Sequence, residues 1–139
     1  MNRIELRQLA LDRIEDAKIL LDNRRWAAAY YLAGYAVECG LKACILARVE
    51  RTGIIFTDPK FAKDCWTHSL VKLIEKADLV EKRDDLVKTN LVFRGNWGIV
   101  KDWTEISRYA QRTEGDANAI YEAIVNDPDG VLKWLQTLW

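Results

Sequence analysis

The sequence lacks a long hydrophobic run. Its longest uncharged stretch, from Trp26 to Val37, has 12 residues, whereas a membrane-spanning helix needs about 20. The N-terminal stretch MNRIELRQLALDRIED is dense in charge and lacks the apolar segment of a signal peptide. We therefore expect no membrane-spanning helix, no secretory leader and a cytoplasmic location.

The chain also has no net charge and only three cysteines. The 21 basic and 21 acidic residues cancel, so no net field draws the chain onto nucleic acid or an anionic membrane. Balance over the whole chain is nevertheless compatible with a local basic patch. Cys39, Cys44 and Cys65 are an odd number of cysteines without the spacing of a metal site. We expect reduced, buried thiols, and we expect no metal and no cofactor.

What the sequence does contain is helical periodicity. A chain of 139 residues, half of them hydrophobic, is expected to form one domain, residues 1–139. Apolar spacing predicts helices over about 3–22, 25–51, 70–77 and 115–126. A last helix is predicted from Pro128 to Leu138, capped by Asp127, and residues 52–66 and 90–109 are predicted to be irregular. The predicted fold is an all-α, up-and-down bundle of about four main helices.

The predicted central helix, residues 25–51, carries a surface of small residues. Gly34 and Gly40 each cost about 1 kcal/mol against alanine inside a helix, and nearby alanines extend the surface. Such a surface lets another helix come close, either within one protomer or between two. Large residues such as Trp134 and Trp139 are likewise typical of a core or of an interface. From these two features we predict a homodimer.

Two charged residues interrupt the apolar central helix. Glu38 lies one turn before Lys42, which is the favourable order for an ion pair on a helix. Tyr31 and Tyr35 follow the same spacing and lie on the same side of the helix. These four residues are candidates for a polar binding site in the bundle core. Alternatively, Glu38 and Lys42 form a structural ion pair, or Lys42 extends along its stem to solvent.

The single histidine, His68, is the only side chain that titrates near neutrality without help. It is a candidate catalytic base, with Lys63 as a poor substitute for an arginine in stabilising phosphoryl charge. Alternatively, His68 opens a helix and forms a hydrogen bond with the backbone or with a carboxylate such as Glu38.

A third candidate group consists of Arg108 and Tyr109 together with Trp103 and Arg112. Arginine beside aromatic rings can bind phosphate and stack on a base. The same residues can instead anchor an irregular segment through hydrogen bonds to backbone carbonyls. The sequence leaves both interpretations open.

The stretch AAYYLAGYAVECGLKA, residues 28–43, resembles the HEPN domain family (higher eukaryote and prokaryote nucleotide-binding domains). Supporting matches are DAKILLDNRRW in the first helix, His68 with Leu70, and Trp103 followed by Arg108-Tyr109. The resemblance implies an all-α bundle, commonly paired as a homodimer, and a background in nucleotide and RNA biology. Many members of the family are ribonuclease toxins. Others are non-catalytic partners of small nucleotidyltransferases in toxin–antitoxin or defence operons.

The sequence departs from the ribonuclease pattern of that family. Catalytic members carry an arginine, four to six residues and then a histidine near the start of the last main helix. His68 comes early in the chain, and no arginine lies five to seven positions before it. We therefore expect a non-catalytic module that engages a nucleotidyltransferase-type protein, a nucleotide or RNA. The alternative is a metal-independent ribonuclease with a rearranged site, in which His68 is the base and Arg108 or Lys63 stabilises the phosphate.

Overall fold

Helices make up the whole framework of the chain. The computed structural model describes residues 1–139 and contains eight α-helices, two short 3-10 helices and no strand. The α-helices are α1 (Arg3–Asp22), α2 (Trp26–Thr52), α3 (Phe61–Asp64), α4 (Leu70–Lys76), α5 (Val80–Thr89), α6 (Leu91–Val100), α7 (Glu114–Val125) and α8 (Val131–Gln136); the 3-10 helices are Ile54–Phe56 and Glu105–Tyr109. The predicted all-α bundle is confirmed. No helix combines the length and apolar character that crossing a membrane requires.

The two longest helices, α1 and α2, form a hairpin. α1 begins with a capping box, in which Asn2 Oδ1 accepts the Glu5 backbone N–H at 2.9 Å and the Glu5 carboxylate accepts the Asn2 N–H at 2.8 Å. α1 is followed by Asn23, its predicted end, and a short turn leads into α2. Arg3 pairs with Glu50 at 2.8 Å, so the start of α1 lies beside the end of α2. The hairpin is therefore antiparallel, as its short connection predicts.

The small-residue surface of α2 is used inside the protomer. The backbone at Gly34 lies against the indole of Trp103, and Gly40 lies against Leu132, Leu135 and Trp139. α4, α7 and α8 pack against α2 in addition to α1, which confirms its central position. Of the two interpretations of this surface, close packing within one protomer is therefore the one observed at Gly34 and Gly40.

The segment 90–109 is more regular than predicted, because α6 occupies Leu91–Val100. Asn90 caps α6 by accepting the Phe93 N–H at 3.0 Å. Phe93 and Trp97 are buried on one face of α6, together with Val100. Gly95 and Gly98 have nothing within 4 Å of an added Cβ. The glycines therefore destabilise α6 only through their low helix propensity, by about 1 kcal/mol each. Burial of two aromatic rings stabilises the helix by more than this amount.

The last helix is shorter than predicted. α8 begins at Val131 with Gly130 as its N-cap, not at Pro128 with Asp127 as its cap. Asn126 instead organises a turn after α7: its side chain accepts the Asp129 N–H at 3.3 Å, and its carbonyl accepts the Gly130 N–H at 2.7 Å. Residues 127–130 belong to this turn, so the helical position predicted for Pro128 is wrong.

Two of the three cysteines are buried in the core, and Cys65 is partly buried. Burial raises the pKa of Cys39 to about 11 and that of Cys44 to about 12, from an ordinary value of 9.0. Both thiols are therefore neutral at physiological pH, as expected for cysteines that pack as small hydrophobes.

The raised thiol pKa values predict loss of stability at alkaline pH. Above pH 9 the cysteines ionise in the unfolded chain before they ionise in the folded chain, so the free energy of unfolding falls by up to about 1.4 kcal/mol per pH unit for each thiol. Below pH 9 this contribution is fully present. Urea titrations at pH 8 and pH 10.5 measure the fall, and Cys44→Ala is expected to reduce it. A fall of equal size in Cys44→Ala would contradict the assignment to this thiol.

Candidate ligand-binding site

A cleft of about 490 Å³ opens where the turn between α1 and α2 meets the segment that follows α6. We call it the arginine cleft, because Arg24 and Arg25 line it from the turn and Arg108 and Arg112 line it from the segment before α7. The remaining lining residues are Trp26, Ala27, Ala28, Tyr31 and Gln111. No carboxylate lines the cleft.

The four cleft arginines have no acidic partners. The ion pairs of the chain engage other basic residues, including Arg3, Arg13 and Arg83, and none of them includes a cleft arginine. Because the chain as a whole has no net charge, four unpaired guanidinium groups around one cleft concentrate positive potential there. The arginine cleft is therefore a local basic patch, which the balanced charge of the whole chain had left possible.

The N-terminus of α2 opens into the same cleft. No side chain caps this helix, and the backbone N–H groups of Trp26, Ala27 and Ala28 have no acceptor within the chain. The Arg25 N–H donates to the Leu20 carbonyl at 2.9 Å, which fixes the turn that presents this helix end. A helix N-terminus offers free donors and partial positive charge, and both favour a bound anion.

Aromatic rings hold two of the cleft arginines in place. The Arg112 guanidinium lies 4.0 Å from the Tyr30 ring centroid, and its Nε is buried without a hydrogen-bond acceptor. The Arg108 guanidinium lies 4.9 Å from the Tyr109 ring centroid. Interaction with Tyr109, and then with Tyr31, raises the pKa of Arg108. Both guanidinium groups are therefore partly immobilised at the cleft before a ligand arrives.

Trp103 anchors the segment that carries Arg108. Its indole is 1% exposed, stacks on Tyr31 at a centroid distance of 5.8 Å and lies against the backbone of Gly34. Trp103 thus anchors the segment by packing and not by the predicted hydrogen bonds to backbone carbonyls, because its Nε1 has no acceptor in the chain. Arg108 and Tyr109 remain exposed, so the residues that hold the segment differ from those that face solvent.

A second polar group lies farther along α2. Glu38 is 1% exposed, and its Oε1 accepts Lys42 Nζ at 2.7 Å and contacts His68 Nδ1 at 2.9 Å. His68 directly precedes Ser69, the N-cap of α4. The predicted Glu38–Lys42 pair is therefore present, as is the predicted contact between His68 and a carboxylate. The other carboxylate oxygen, Oε2, is buried without a partner in the chain.

The predicted site residues thus form two groups, not one. Tyr31 lies at the arginine cleft with Arg108, whereas Glu38 lies two turns farther along α2, where the helix has risen by about 10 Å. His68 contacts Glu38 from the start of α4. The rings of Tyr31 and Tyr35 stack between the two groups at a centroid distance of 6.2 Å. No hydrogen bond joins His68 to Arg108. Within one protomer Arg108 lines the arginine cleft and His68 does not. The ribonuclease alternative stays a prediction.

No family model, curated protein or solved structure matches the chain. The HEPN resemblance therefore stays a prediction, based on residues 28–43 and the supporting matches.

Arg108 and Arg112 are among the candidate site residues predicted from the sequence, but Arg24 and Arg25, the other two arginines of the cleft, are not. The sequence pattern places Arg24 and Arg25 only in a turn, and the one signal that points to them is a basic doublet directly before Trp26. Lys63, the candidate partner of His68, is exposed on α3. It does not line the arginine cleft.

The arrangement suits anion binding. Arginine forks match the geometry of phosphate oxygens, and free N–H groups at the start of α2 add donors on the same side. No group of three or more His, Cys, Asp or Glu residues is placed to hold a metal ion. The cleft residues themselves supply positive charge and hydrogen-bond donors.

Proposed function

We propose that this chain is a non-catalytic, HEPN-like binding module whose arginine cleft binds the phosphates of single-stranded RNA. The observation that carries the proposal is the set of four arginines without acidic partners around an uncapped helix start. A backbone phosphate placed there would accept charge-assisted hydrogen bonds from guanidinium groups and from α2.

Aromatic residues at the cleft favour a single strand over a duplex. Trp26 lines the cleft, and Tyr109 is 76% exposed beside Arg108. Unpaired bases stack on such rings, and the combination of a basic groove with aromatic platforms is typical of single-strand binding. The choice of RNA as the nucleic acid comes from the HEPN resemblance.

The assembly predicted from the sequence belongs to the same proposal. A homodimer and a nucleotidyltransferase-type protein partner are both implied by the resemblance. Because α2 is enclosed by other helices, a subunit contact would use exposed apolar side chains elsewhere, such as Leu91, Val92 and Ile99 on α6.

Fluorescence anisotropy with a labelled single-stranded RNA of about ten nucleotides tests the proposal. We expect saturable binding with a dissociation constant of about 1–100 µM near physiological salt. Unlabelled single strand should compete better than duplex RNA, ATP or polyglutamate. Failure to saturate would overturn the proposal. Equal competition by ATP would reassign the cleft to mononucleotides, and equal competition by polyglutamate would reduce it to a general polyanion site.

One observation favours the ribonuclease alternative: a buried carboxylate, Glu38, contacts His68 Nδ1 at 2.9 Å, as in sites where a carboxylate orients a general base. A non-catalytic module is expected to leave the bound RNA uncleaved, and His68→Ala is expected to bind RNA as the wild-type protein does. Gel analysis of labelled RNA measures cleavage, and anisotropy measures binding. Cleavage that His68→Ala abolishes and the surface control Lys88→Ala retains would establish the alternative instead.

A further inference from the structure

An apolar groove lies beside Glu38 and Lys42 and shares no lining residue with the arginine cleft. It has a volume of about 410 Å³, and most of its lining residues are hydrophobic. α1 contributes Leu6 and Leu9, α2 contributes Tyr35 and Ile45, and Trp66 lies after α3. No arginine lines it, so it differs in chemistry from the cleft assigned to RNA. Its volume is within the range of small-molecule sites.

The charged residues of the groove are Glu38 and Lys42. Oε1 of Glu38 already accepts Lys42 Nζ at 2.7 Å and contacts His68 at 2.9 Å, whereas no donor of the chain reaches Oε2. A buried carboxylate oxygen without a donor is destabilising, and such atoms are uncommon in folded proteins. Glu38 lines the groove, and a rotation of its buried carboxylate toward the groove would let a ligand donor satisfy Oε2.

Charge selects the kind of donor. Lys42 already neutralises Glu38 across a 2.7 Å ion pair, so a second cation would meet the Lys42 ammonium without a net attractive charge. A neutral N–H or O–H group avoids that repulsion and still satisfies Oε2. The rest of the ligand must be apolar because the walls are apolar.

The side chain of Trp66 favours a flat ring as the apolar part. It lines the groove and is 81% exposed, which is unusual for so large an apolar residue. A ring stacked on the indole would cover this surface, and offset stacking of aromatic rings adds to simple burial. Tyr35, partly buried, supplies a second ring on the α2 side.

We propose that this groove is a second binding site, for a small flat aromatic molecule that donates a neutral N–H or O–H group to Glu38 Oε2. The site is independent of the proposed RNA function, since it uses none of the cleft arginines. Glu38 supplies selectivity, and Trp66 supplies most of the contact surface.

Indole and 1-methylindole are the probes that test the site, since a methyl group replaces the N–H donor in the second molecule while the aromatic ring system is the same. Titrations of ¹⁵N-labelled protein followed by NMR should show saturable shifts at Cys39, Lys42 and the Trp66 side chain, with no shifts at Arg24 or Arg112. Indole is expected to bind at least about 10-fold more tightly than 1-methylindole, as one hydrogen bond to a charged acceptor implies. Equal affinities in the wild-type protein, or shifts spread over the whole surface, would overturn the proposal.

Two variants separate the roles of the residues. Glu38→Met keeps the length of the side chain and removes its acceptor, so the preference for indole over 1-methylindole should vanish. Trp66→Ala changes an exposed side chain, so the fold is retained, and both probes should bind at least about fivefold more weakly, as loss of a stacked ring implies. Unchanged binding in Trp66→Ala would contradict the site even if Glu38→Met fails to fold. Arg108→Gln/Arg112→Gln should leave indole binding unchanged, which keeps this test separate from that of the RNA function.

Discussion

Replacing Gly34 with alanine is expected to lower the free energy of unfolding by about 3 kcal/mol or more, near the upper end of overpacking costs. The added Cβ would overlap the indole of Trp103, which is 1% exposed and cannot move outward without opening the core. The gain in helix propensity on replacing glycine, about 1 kcal/mol, is too small to offset that overlap. Thermal and urea unfolding measure the effect.

A matched glycine in α6 provides the control. Gly98 is exposed in the last turn of α6, and an added Cβ would meet nothing within 4 Å. Gly98→Ala is therefore expected to stabilise the protein by up to about 1 kcal/mol. Opposite signs for these two glycine-to-alanine changes are the result that the packing predicts. A Gly34→Ala protein with wild-type stability would show that Trp103 does not pack against α2 as described.

The double variant Arg108→Gln/Arg112→Gln is expected to weaken RNA binding by about 100-fold. Loss of two charge-assisted hydrogen bonds to phosphate, at about 1.5 kcal/mol each, gives this factor. Arg112 also stacks on Tyr30 at 4.0 Å, so the variant is expected to lose at most about 1 kcal/mol of stability. Anisotropy titration of the same labelled single strand measures the change, with circular dichroism as the check on folding.

Two arginines outside the cleft give a control with the same change in charge. Arg51 lies at the end of α2 and Arg94 lies on α6, and both are exposed. Arg51→Gln/Arg94→Gln is expected to bind RNA within about twofold of the wild-type protein, since distant exposed charges are screened. Equal losses in the two double variants would mean that binding follows overall charge and not the cleft.

The sequence alone predicted those features that depend on local spacing. The α1–α2 hairpin follows from apolar periodicity and a short turn. The Glu38–Lys42 pair follows from a four-residue interval on one helix. Because a buried charge requires partners, the contact between Glu38 and His68 could also be anticipated.

Features that depend on contacts between distant segments were harder to predict. Arg24 and Arg112 lie far apart in the sequence, and no periodicity reports that the fold brings them to one cleft. α6 was not predicted because Gly95 and Gly98 break the helical pattern. Both glycines lie on the exposed face of α6, where an added Cβ would contact nothing. The sequence does not show which face is exposed; the burial of Phe93 and Trp97 in the structure does.

The salt dependence of RNA binding tests the central claim most directly. If four arginines each neutralise one phosphate, the logarithm of the association constant should fall with the logarithm of the salt concentration with a slope of about −3. The variant in which Arg24, Arg25, Arg108 and Arg112 are all replaced by glutamine should bind weakly and show a slope near zero. The same slope and affinity in both proteins would contradict the assignment of phosphate binding to the arginine cleft.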